Sequence, residues 1–175
     1  MATRKSSGFS LIELLIVVAI ILIIAGIAIP SLLRSKMSAN ESAAVSVLRN
    51  VHNSQAVYIT EYSNAVGYAN SLLKLGPGSP CSKLAACLTD ELVGCAAEPC
   101  LKSGYLFYMN STSASEPYGD YTASATPVAW LKTGDKNFCT TEDGVINKQQ
   151  PSLGQLPNAE VHANCIGAGY VPVGN

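Results

Sequence analysis

Residues 9–33 of this chain have the sequence FSLIELLIVVAIILIIAGIAIPSLL, and 20 of these 25 residues are apolar. The five exceptions are Ser10, Glu13, Gly26, Pro30 and Ser31. At 1.5 Å per residue, a helix of this length extends about 38 Å, whereas a membrane hydrocarbon core is roughly 30 Å thick. The segment therefore predicts a helix that enters a membrane, and the basic residues Arg4 and Lys5 precede it.

The chain as a whole is poor in charge. Charged residues make up 13% of the 175 residues, and the formal net charge is −1. Soluble proteins average about 25% charged residues, so this is not a disordered chain kept in solution by its charge. Nucleic-acid binding normally requires a basic patch, which this balance does not provide, and we predict no nucleic-acid partner.

An ordinary secretory signal peptide is the simplest alternative for the apolar segment. Signal peptides have an apolar region of only about 7–15 residues, however, and this segment is longer and contains Glu13. A charge at the centre of a membrane helix costs on the order of 2.5–3.5 kcal/mol and less near the interface, so an acid here indicates a function. An exported domain behind a signal peptide or membrane anchor remains the alternative of a different class.

Residues 5–14, with the sequence KSSGFSLIEL, closely resemble the processing site of type IV prepilins and of type II secretion pseudopilins. In that family a short basic leader ends in Gly, Phe usually follows, and Glu is the fifth residue of the mature chain. Gly8, Phe9 and Glu13 match this pattern. The resemblance implies a leader peptide at residues 1–8, cleavage by a prepilin peptidase between Gly8 and Phe9, and N-methylation of Phe9. It also implies that Glu13 pairs with the Phe9 amine of a neighbouring subunit and aligns that subunit during assembly.

The end of the apolar segment is predicted to be a weak part of the helix. Pro30 has no amide hydrogen, so the carbonyl of Gly26 loses its helical partner. Gly26 itself destabilises a helix by about 1 kcal/mol relative to Ala. We therefore predict a kink near Pro30 at the end of residues 9–33, the transmembrane and assembly half of the helix.

Residues 34–63 are predicted to continue as the amphipathic half of the same helix. Ala44, Leu48, Val51, Gln55, Tyr58 and Tyr62 follow one another in steps of three and four residues, which places them on one helical face. Leu33, Met37 and Glu41 extend this series towards the N-terminus. Gly and Pro are absent between Ser31 and Ala65. The pattern predicts one helix from Phe9 to about Tyr62.

Residues 64–175 are predicted to form a globular head. We divide it into a variable Cys-rich loop at 64–101, an antiparallel sheet at about 102–148 and an irregular C-terminal loop at 149–175. A short helix is expected at 84–92, and strands at 105–109, 121–131, 137–141 and 145–146. The fold class is α+β, with the C-terminal half of the helix packed on the sheet, and the order of elements resembles the pilin fold.

The head contains six cysteines, an even number that fits disulfide formation after export. Fifteen pairings are possible, and the sequence does not choose among them. The family resemblance favours Cys139 with Cys165, because pilins often tie down their C-terminal loop in this way. The other four are then expected to pair locally: Cys81, Cys87, Cys95 and Cys100.

Catalytic, metal and cofactor sites are not expected. CxxC motifs are absent, and His52 and His162 lie far from the Cys cluster in sequence and in no recognisable catalytic neighbourhood. The segment Gly76-Pro77-Gly78 lacks the spacing and the Lys of a phosphate loop. We therefore predict that the protein is not an enzyme and binds no metal or cofactor.

The function that the resemblance implies is that of a structural subunit of a type IV pilus-like filament. Its expected partners are other copies of itself, the prepilin peptidase, an inner-membrane assembly platform with its ATPase, and minor pilins. The expected location is the inner membrane for the prepilin and an extracellular or periplasmic filament for the mature chain. A type II secretion or competence pseudopilin and a minor pilin remain alternatives. The acid-rich calcium loop of the major pseudopilin is not visible, since residues 149–175 contain one acid, Glu160.

Overall fold

The computed structural model describes residues 9–62, 66–150, 162–167 and 169–174. The chain divides into two compact units, Met1–Lys36 and Met37–Asn175, called the first and second unit below. The first unit contains the apolar segment, and the second contains the core and the sheet.

Helix α1 extends over Leu11–Tyr62, 52 residues, as the sequence predicted. In the second unit it buries one face, formed by Ala44, Val47, Leu48, Val51, Ser54, Gln55 and Tyr58. Five members of the face predicted from the helical period are therefore buried, and Val47 and Ser54 widen the buried stripe. The other predicted members are not buried: Met37, Glu41 and Tyr62 are partly exposed, and Leu33 is exposed. An amphipathic face of this kind lets the helix cover a sheet.

Within the described residues, six strands form one antiparallel sheet in which every strand pairs with its neighbour in the chain. They are β1 (Cys100–Lys102), β2 (Tyr105–Asn110), β3 (Thr122–Pro127), β4 (Asn137–Thr141), β5 (Ile146–Gln149) and β6 (Val171–Pro172). Two short helices, α2 (Leu72–Leu75) and α3 (His162–Cys165), lie before β1 and before β6. The predicted α+β class is therefore confirmed, whereas strands β1 and β6 were not predicted.

Large side chains of β2 face small ones of β3 across the sheet. Phe107 pairs with Ala125, and Met109 pairs with Ala123. All four side chains are buried in the same cluster as the α1 stripe. Gln55 links the layers, because its Nε2 donates to the Ala69 carbonyl at 2.7 Å and contacts the Met109 sulfur at 3.1 Å. The alanines of β3 thus leave room for the helix.

Polar contacts tie α1 to the segment before β4. Asn40 Nδ2 donates to the Thr133 carbonyl at 2.9 Å. Glu41 accepts hydrogen bonds from the Asp135 amide at 3.1 Å and from Lys136 Nζ at 2.9 Å. The Glu41 carboxylate raises the pKa of Lys136, so the ammonium stays charged and the contact persists at neutral pH.

The helix predicted at 84–92 is wrong. Cys81 and Cys87 form a disulfide with a Cα–Cα distance of 5.6 Å, and Cys87 has a φ of 59°. A residue in the left-handed region interrupts a right-handed helix, so one helix cannot extend through Cys87 from 84 to 92. The chain instead forms turns here, and the helical turn before the Cys-rich segment is α2.

The predicted strand 121–131 is too long. Strand β3 ends at Pro127, and the amides of Lys132 and Thr133 both donate to the Ala129 carbonyl, at 3.1 and 2.8 Å. Leu131, with a φ of 59°, reverses the chain within this turn. The apolar residues after Pro127 resembled a strand in composition but belong to the turn.

The six cysteines form three disulfides: Cys81–Cys87, Cys95–Cys100 and Cys139–Cys165. The third is the pair that the family resemblance favoured, and the other four cysteines pair locally. The Cys139–Cys165 disulfide joins β4 to α3, and Asn147 Nδ2 donates a hydrogen bond of 3.2 Å to the Cys165 carbonyl. Of the C-terminal loop predicted at 149–175, residues 151–161, 168 and 175 lie outside the described residues.

Glu98 fixes the Cys-rich loop to its neighbours. Its carboxylate accepts hydrogen bonds from the Leu72 amide of α2 and, at 2.9 Å, from the Met109 amide of β2. Burial raises the pKa of Glu98 despite these two donors. The loop is therefore anchored between α2 and β2 as well as by its two local disulfides.

We expect Gly134→Ala to destabilise the protein by about 2–3 kcal/mol. A Cβ at this position would lie 2.0 Å from the hydroxyl oxygen of Tyr105, which is fully buried and donates to the Lys136 carbonyl at 3.0 Å. Denaturant unfolding of the full chain in detergent micelles, followed by near-UV circular dichroism, measures the change.

Gly119→Ala is the matched control, because a Cβ there meets nothing within 4 Å. Equal unfolding midpoints for the two variants would show that the tyrosine can shift at no cost.

Candidate functional site

The first unit presents an apolar surface that the described chain does not cover. Seventeen large apolar side chains between Phe9 and Leu33 are exposed, from 46% at Val18 to 80% at Leu11. A soluble monomer rarely exposes a contiguous apolar patch of more than a few hundred Å². Such a surface needs lipid or other protein around it.

This part of α1 is long and apolar enough to cross a membrane. Among the described residues, α1 is the one helix that meets this criterion, with a mean hydropathy of 3.2 in its most apolar window. Residues 11–33 extend about 34 Å as a helix, which matches a hydrocarbon core of roughly 30 Å. Its length and composition show that this helix is able to span a membrane. A signal sequence near an N-terminus would meet the same criterion.

Glu13 lies in the first turn of α1 and contacts its own chain. Its Oε2 accepts a hydrogen bond of 3.1 Å from the backbone amide of Ser10. Ser10 directly precedes the helix, and its carbonyl accepts the Leu14 amide at 3.3 Å. This arrangement is one half of a capping box, in which the third helical residue satisfies the amide of the residue before the helix. The carboxylate is also favoured by the positive end of the helix dipole.

The family motif assigns a role to Glu13 but none to Ser10. The signal was present, because Ser10-Leu11-Ile12-Glu13 fits the pattern of Ser followed three residues later by Glu before an apolar run. Phe9 is the first described residue and is 76% exposed. Gly8 lies outside the described residues, so cleavage between Gly8 and Phe9 remains a prediction.

Gly26 and Pro30 both lie inside α1. The helix is continuous in its secondary structure through both residues, and a Cβ at Gly26 would meet nothing within 4 Å. Gly26 is therefore not required by a close neighbour in the described chain. The kink near Pro30 remains a prediction that rests on the missing amide hydrogen.

The two histidines contact different partners in the second unit. His52 Nδ1 lies 2.6 Å from the Tyr121 hydroxyl, and His162 Nε2 lies 3.0 and 3.1 Å from the Glu142 carboxylate oxygens. Burial raises the pKa of Tyr121, so its hydroxyl stays protonated. Within the described residues, no group of three or more His, Cys, Asp or Glu side chains is placed to hold a metal ion.

Comparison with known proteins bears on the N-terminal segment. Residues 3–29 match the family model described as the prokaryotic N-terminal methylation motif. The chain is 37% identical over 73 residues to the type IV wide pilus major component PilA4 of Thermus thermophilus, a match that covers 42% of this chain and 56% of that protein. It is 37% identical over 68 residues to the type IV major pilin protein PilA of Myxococcus xanthus, over 39% of this chain and 31% of that protein.

These matches support the type IV pilin family. The matched regions span about half and about a third of the lengths of the two pilins, and no solved structure matches the chain. The long N-terminal helix, the antiparallel sheet and the three disulfides fit the pilin fold. One relative is named as a pilus component and the other as a pilin, which agrees with the prediction that the chain is not an enzyme.

We expect Pro30→Ala to strengthen α1 locally, because the substituted residue would supply the amide hydrogen that the Gly26 carbonyl lacks. Pro in a helix interior costs about 3 kcal/mol, which corresponds to about a hundredfold slower amide exchange around residues 26–31 in the variant. Hydrogen exchange of the full chain in micelles, measured by mass spectrometry, tests this expectation. Gly26→Ala serves as the comparison and should slow exchange only about fivefold. If the amide exchange rates around residues 26–31 were unchanged in Pro30→Ala, the prediction that the helix is weak near Pro30 would be wrong.

Proposed function

We propose that this chain is a structural subunit of a type IV pilus-like filament, processed between Gly8 and Phe9 and polymerised through its apolar N-terminal helix. The observation that carries the proposal is the exposed apolar surface of residues 9–33 beside a matching N-terminal methylation motif. A signal peptide is removed and leaves no such surface on the mature protein, whereas a pilin keeps the helix.

Processing changes both the start and the charge of the chain. The leader contains Arg4 and Lys5, so its removal leaves 9 Lys and Arg against 12 Asp and Glu, and the formal charge changes from −1 to −3. Glycine at position 8 gives the peptidase an unobstructed approach to the peptide bond. The new N-terminus would be the amine of Phe9, four residues before Glu13. We propose that this amine is then methylated.

Assembly would give Glu13 a new partner. In the single chain its carboxylate caps α1 through Ser10. Among packed apolar helices a carboxylate is costly unless it meets a positive charge, and the Phe9 amine of an adjacent subunit is such a charge. We propose that this pairing selects the register in which subunits add to the filament.

The proposed location follows the two environments of the apolar helix. The precursor is held in the inner membrane by its apolar segment, and the mature chain joins an extracellular filament. An inner-membrane assembly platform with its ATPase would extract each subunit, and minor pilins would join the same filament. The two relatives are components of type IV pili, which favours a pilus over a type II secretion or competence pseudopilus.

Intact-mass measurement on filaments sheared from cells tests the processing step. We expect a chain that begins at Phe9 and carries one added methyl group. Gly8→Val should leave the leader attached, because its side chain obstructs the peptidase, whereas Ser7→Ala should be processed normally. A native chain that begins at residue 1, or near residue 30 as after signal-peptide removal, would contradict the proposal.

Glu13→Ala should leave cleavage intact and prevent incorporation into filaments. Loss of one partner from a buried ion pair costs about 3–5 kcal/mol, so the amount of the variant in filaments should fall more than about a hundredfold. Immunoblots of sheared filaments and of the membrane fraction measure the two effects. Glu61→Ala removes an exposed acid from the same helix and is the matched control. Filaments of normal abundance with Glu13→Ala would remove the assembly role.

A further inference from the structure

The turn that connects β3 to β4 exposes apolar side chains that none of the roles proposed above uses. Val128 is 45% exposed, and Leu131 is 53% exposed. Trp130 lies between them in the chain and is partly exposed. Its indole nitrogen is buried, so the part of this side chain that remains accessible is carbon. Val128, Trp130 and Leu131 together are called the turn patch below.

Hydrogen bonds hold the turn patch in a defined conformation. The Leu131 amide donates to the Gly134 carbonyl at 2.9 Å, and the Val128 amide donates to the Gly104 carbonyl at 3.0 Å. Leu131 has a φ of 59°, a left-handed conformation that is unfavourable for a residue with a side chain and that glycine adopts readily. Backbone strain of this kind is concentrated at binding sites, which favours a role for the exposed leucine side chain.

The turn is bonded to α1 shortly after the apolar segment. Asn40 Nδ2 donates to the Thr133 carbonyl at 2.9 Å. Asn40 comes seven positions after Leu33, and a chain of that length extends at most about 25 Å. This limit holds for any orientation of the second unit. If residues 9–33 span a membrane as proposed, the turn patch is therefore able to reach the headgroup layer of that membrane.

The residues around the turn patch carry a positive net charge. Residues 34–41 and 128–136 contain four basic residues and two acids, a net charge of +2. The two acids, Glu41 and Asp135, both pair with Lys136. Lys132 lies in the turn and is exposed, and its ammonium group forms no hydrogen bond or ion pair with any described residue. This distribution of charge is complementary to a surface of anionic lipids.

We propose that the turn patch docks on the surface of a bilayer that contains anionic lipids, with Trp130 at the level of the headgroups and Lys132 against lipid phosphates. Trp is enriched at membrane–water interfaces, where an aromatic ring contacts both the acyl chains and the headgroups. The proposal rests on the membrane-held precursor proposed above. It adds a second point of attachment to the bilayer, which would restrict the orientation of the second unit before assembly.

Fluorescence quenching tests the proposal, because Trp130 is the only tryptophan in the chain. The full chain is reconstituted into vesicles of phosphatidylglycerol and phosphatidylcholine. These vesicles contain a nitroxide-labelled lipid with the label either on the headgroup or at the end of an acyl chain. We expect the headgroup label to remove about half of the Trp130 emission and the acyl-end label to remove almost none, because interfacial tryptophans lie at headgroup level.

Leu131→Ser and Leu84→Ser are a matched pair of variants. Leu84 is 63% exposed, but it lies next to Lys83, whose carbonyl accepts the Tyr58 hydroxyl at 2.7 Å near the other end of α1. We expect Leu131→Ser to reduce quenching by the headgroup label about twofold, because membrane binding scales with the apolar area buried, and Leu84→Ser to leave it unchanged. Far-UV circular dichroism checks that both variants are folded.

Lys132→Glu tests the contribution of charge to the docking. It should reduce quenching by the headgroup label in vesicles that contain phosphatidylglycerol, because the attraction to anionic lipid becomes a repulsion. In vesicles of phosphatidylcholine alone it should quench as the wild type does. An equal effect in both kinds of vesicle would contradict the role of anionic lipid.

Three outcomes would overturn the proposal while the chain remains in the membrane. The headgroup label could leave Trp130 emission unchanged, or it could quench Leu131→Ser as strongly as the wild type. Trp130 could also be shielded from both the lipid label and dissolved acrylamide, which would show that another copy of the chain covers the turn patch. Flotation on a density gradient separates these outcomes from failure of the proposed function. A chain that does not float with the vesicles would contradict both the membrane-held precursor and the docking of the turn patch.

Discussion

The structure depends on one constraint: residues 9–33 expose a larger apolar surface than a soluble monomer usually does. A Leu or Ile side chain gains about 1.5–3 kcal/mol when it moves from water to an apolar environment, and this segment exposes seventeen large apolar side chains. The described chain offers them no cover. Lipid can provide it before assembly, and other copies of the same helix can provide it afterwards, so the proposed membrane location and the proposed polymerisation would both follow from one property of the sequence.

The two parts of α1 differ in how apolar residues are distributed around the helix. Between Leu11 and Leu33 the apolar residues occupy all sides of the helix, as expected for a helix without a single fixed apolar neighbour. From Ala44 to Tyr58 the buried residues return every three or four positions and face the sheet. In the first part, specificity of contact must come from the few polar exceptions, among which Glu13 carries the charge.

Much of the fold could be predicted from periodicity, and the errors have local physical causes. The helix to Tyr62 and strands such as Asn137–Thr141 match because long apolar patterns and β-branched or aromatic runs dominate local structure. The helix predicted at 84–92 failed because Cys87, inside that span, has a left-handed backbone conformation with a φ of 59°, and apolar periodicity contains no information on such a turn. In the candidate site, Glu13 was identifiable from the family motif, and its contact with the Ser10 amide follows the capping pattern of Ser10-Leu11-Ile12-Glu13, so both were within reach of the sequence.

The second unit is fixed to its stretch of α1 by two kinds of contact. The apolar core holds the face from Ala44 to Tyr58, and Asn40 with Glu41 adds hydrogen bonds to the segment before β4. Rotation of the sheet about the helix would break both sets together. If the helix packs in a filament as we propose, the orientation of the sheet there follows from the orientation of residues 37–62. The Cys-rich loop is held by its own disulfides and by Glu98, so its exposed residues can vary without disturbing the helix through which we propose that the chain polymerises.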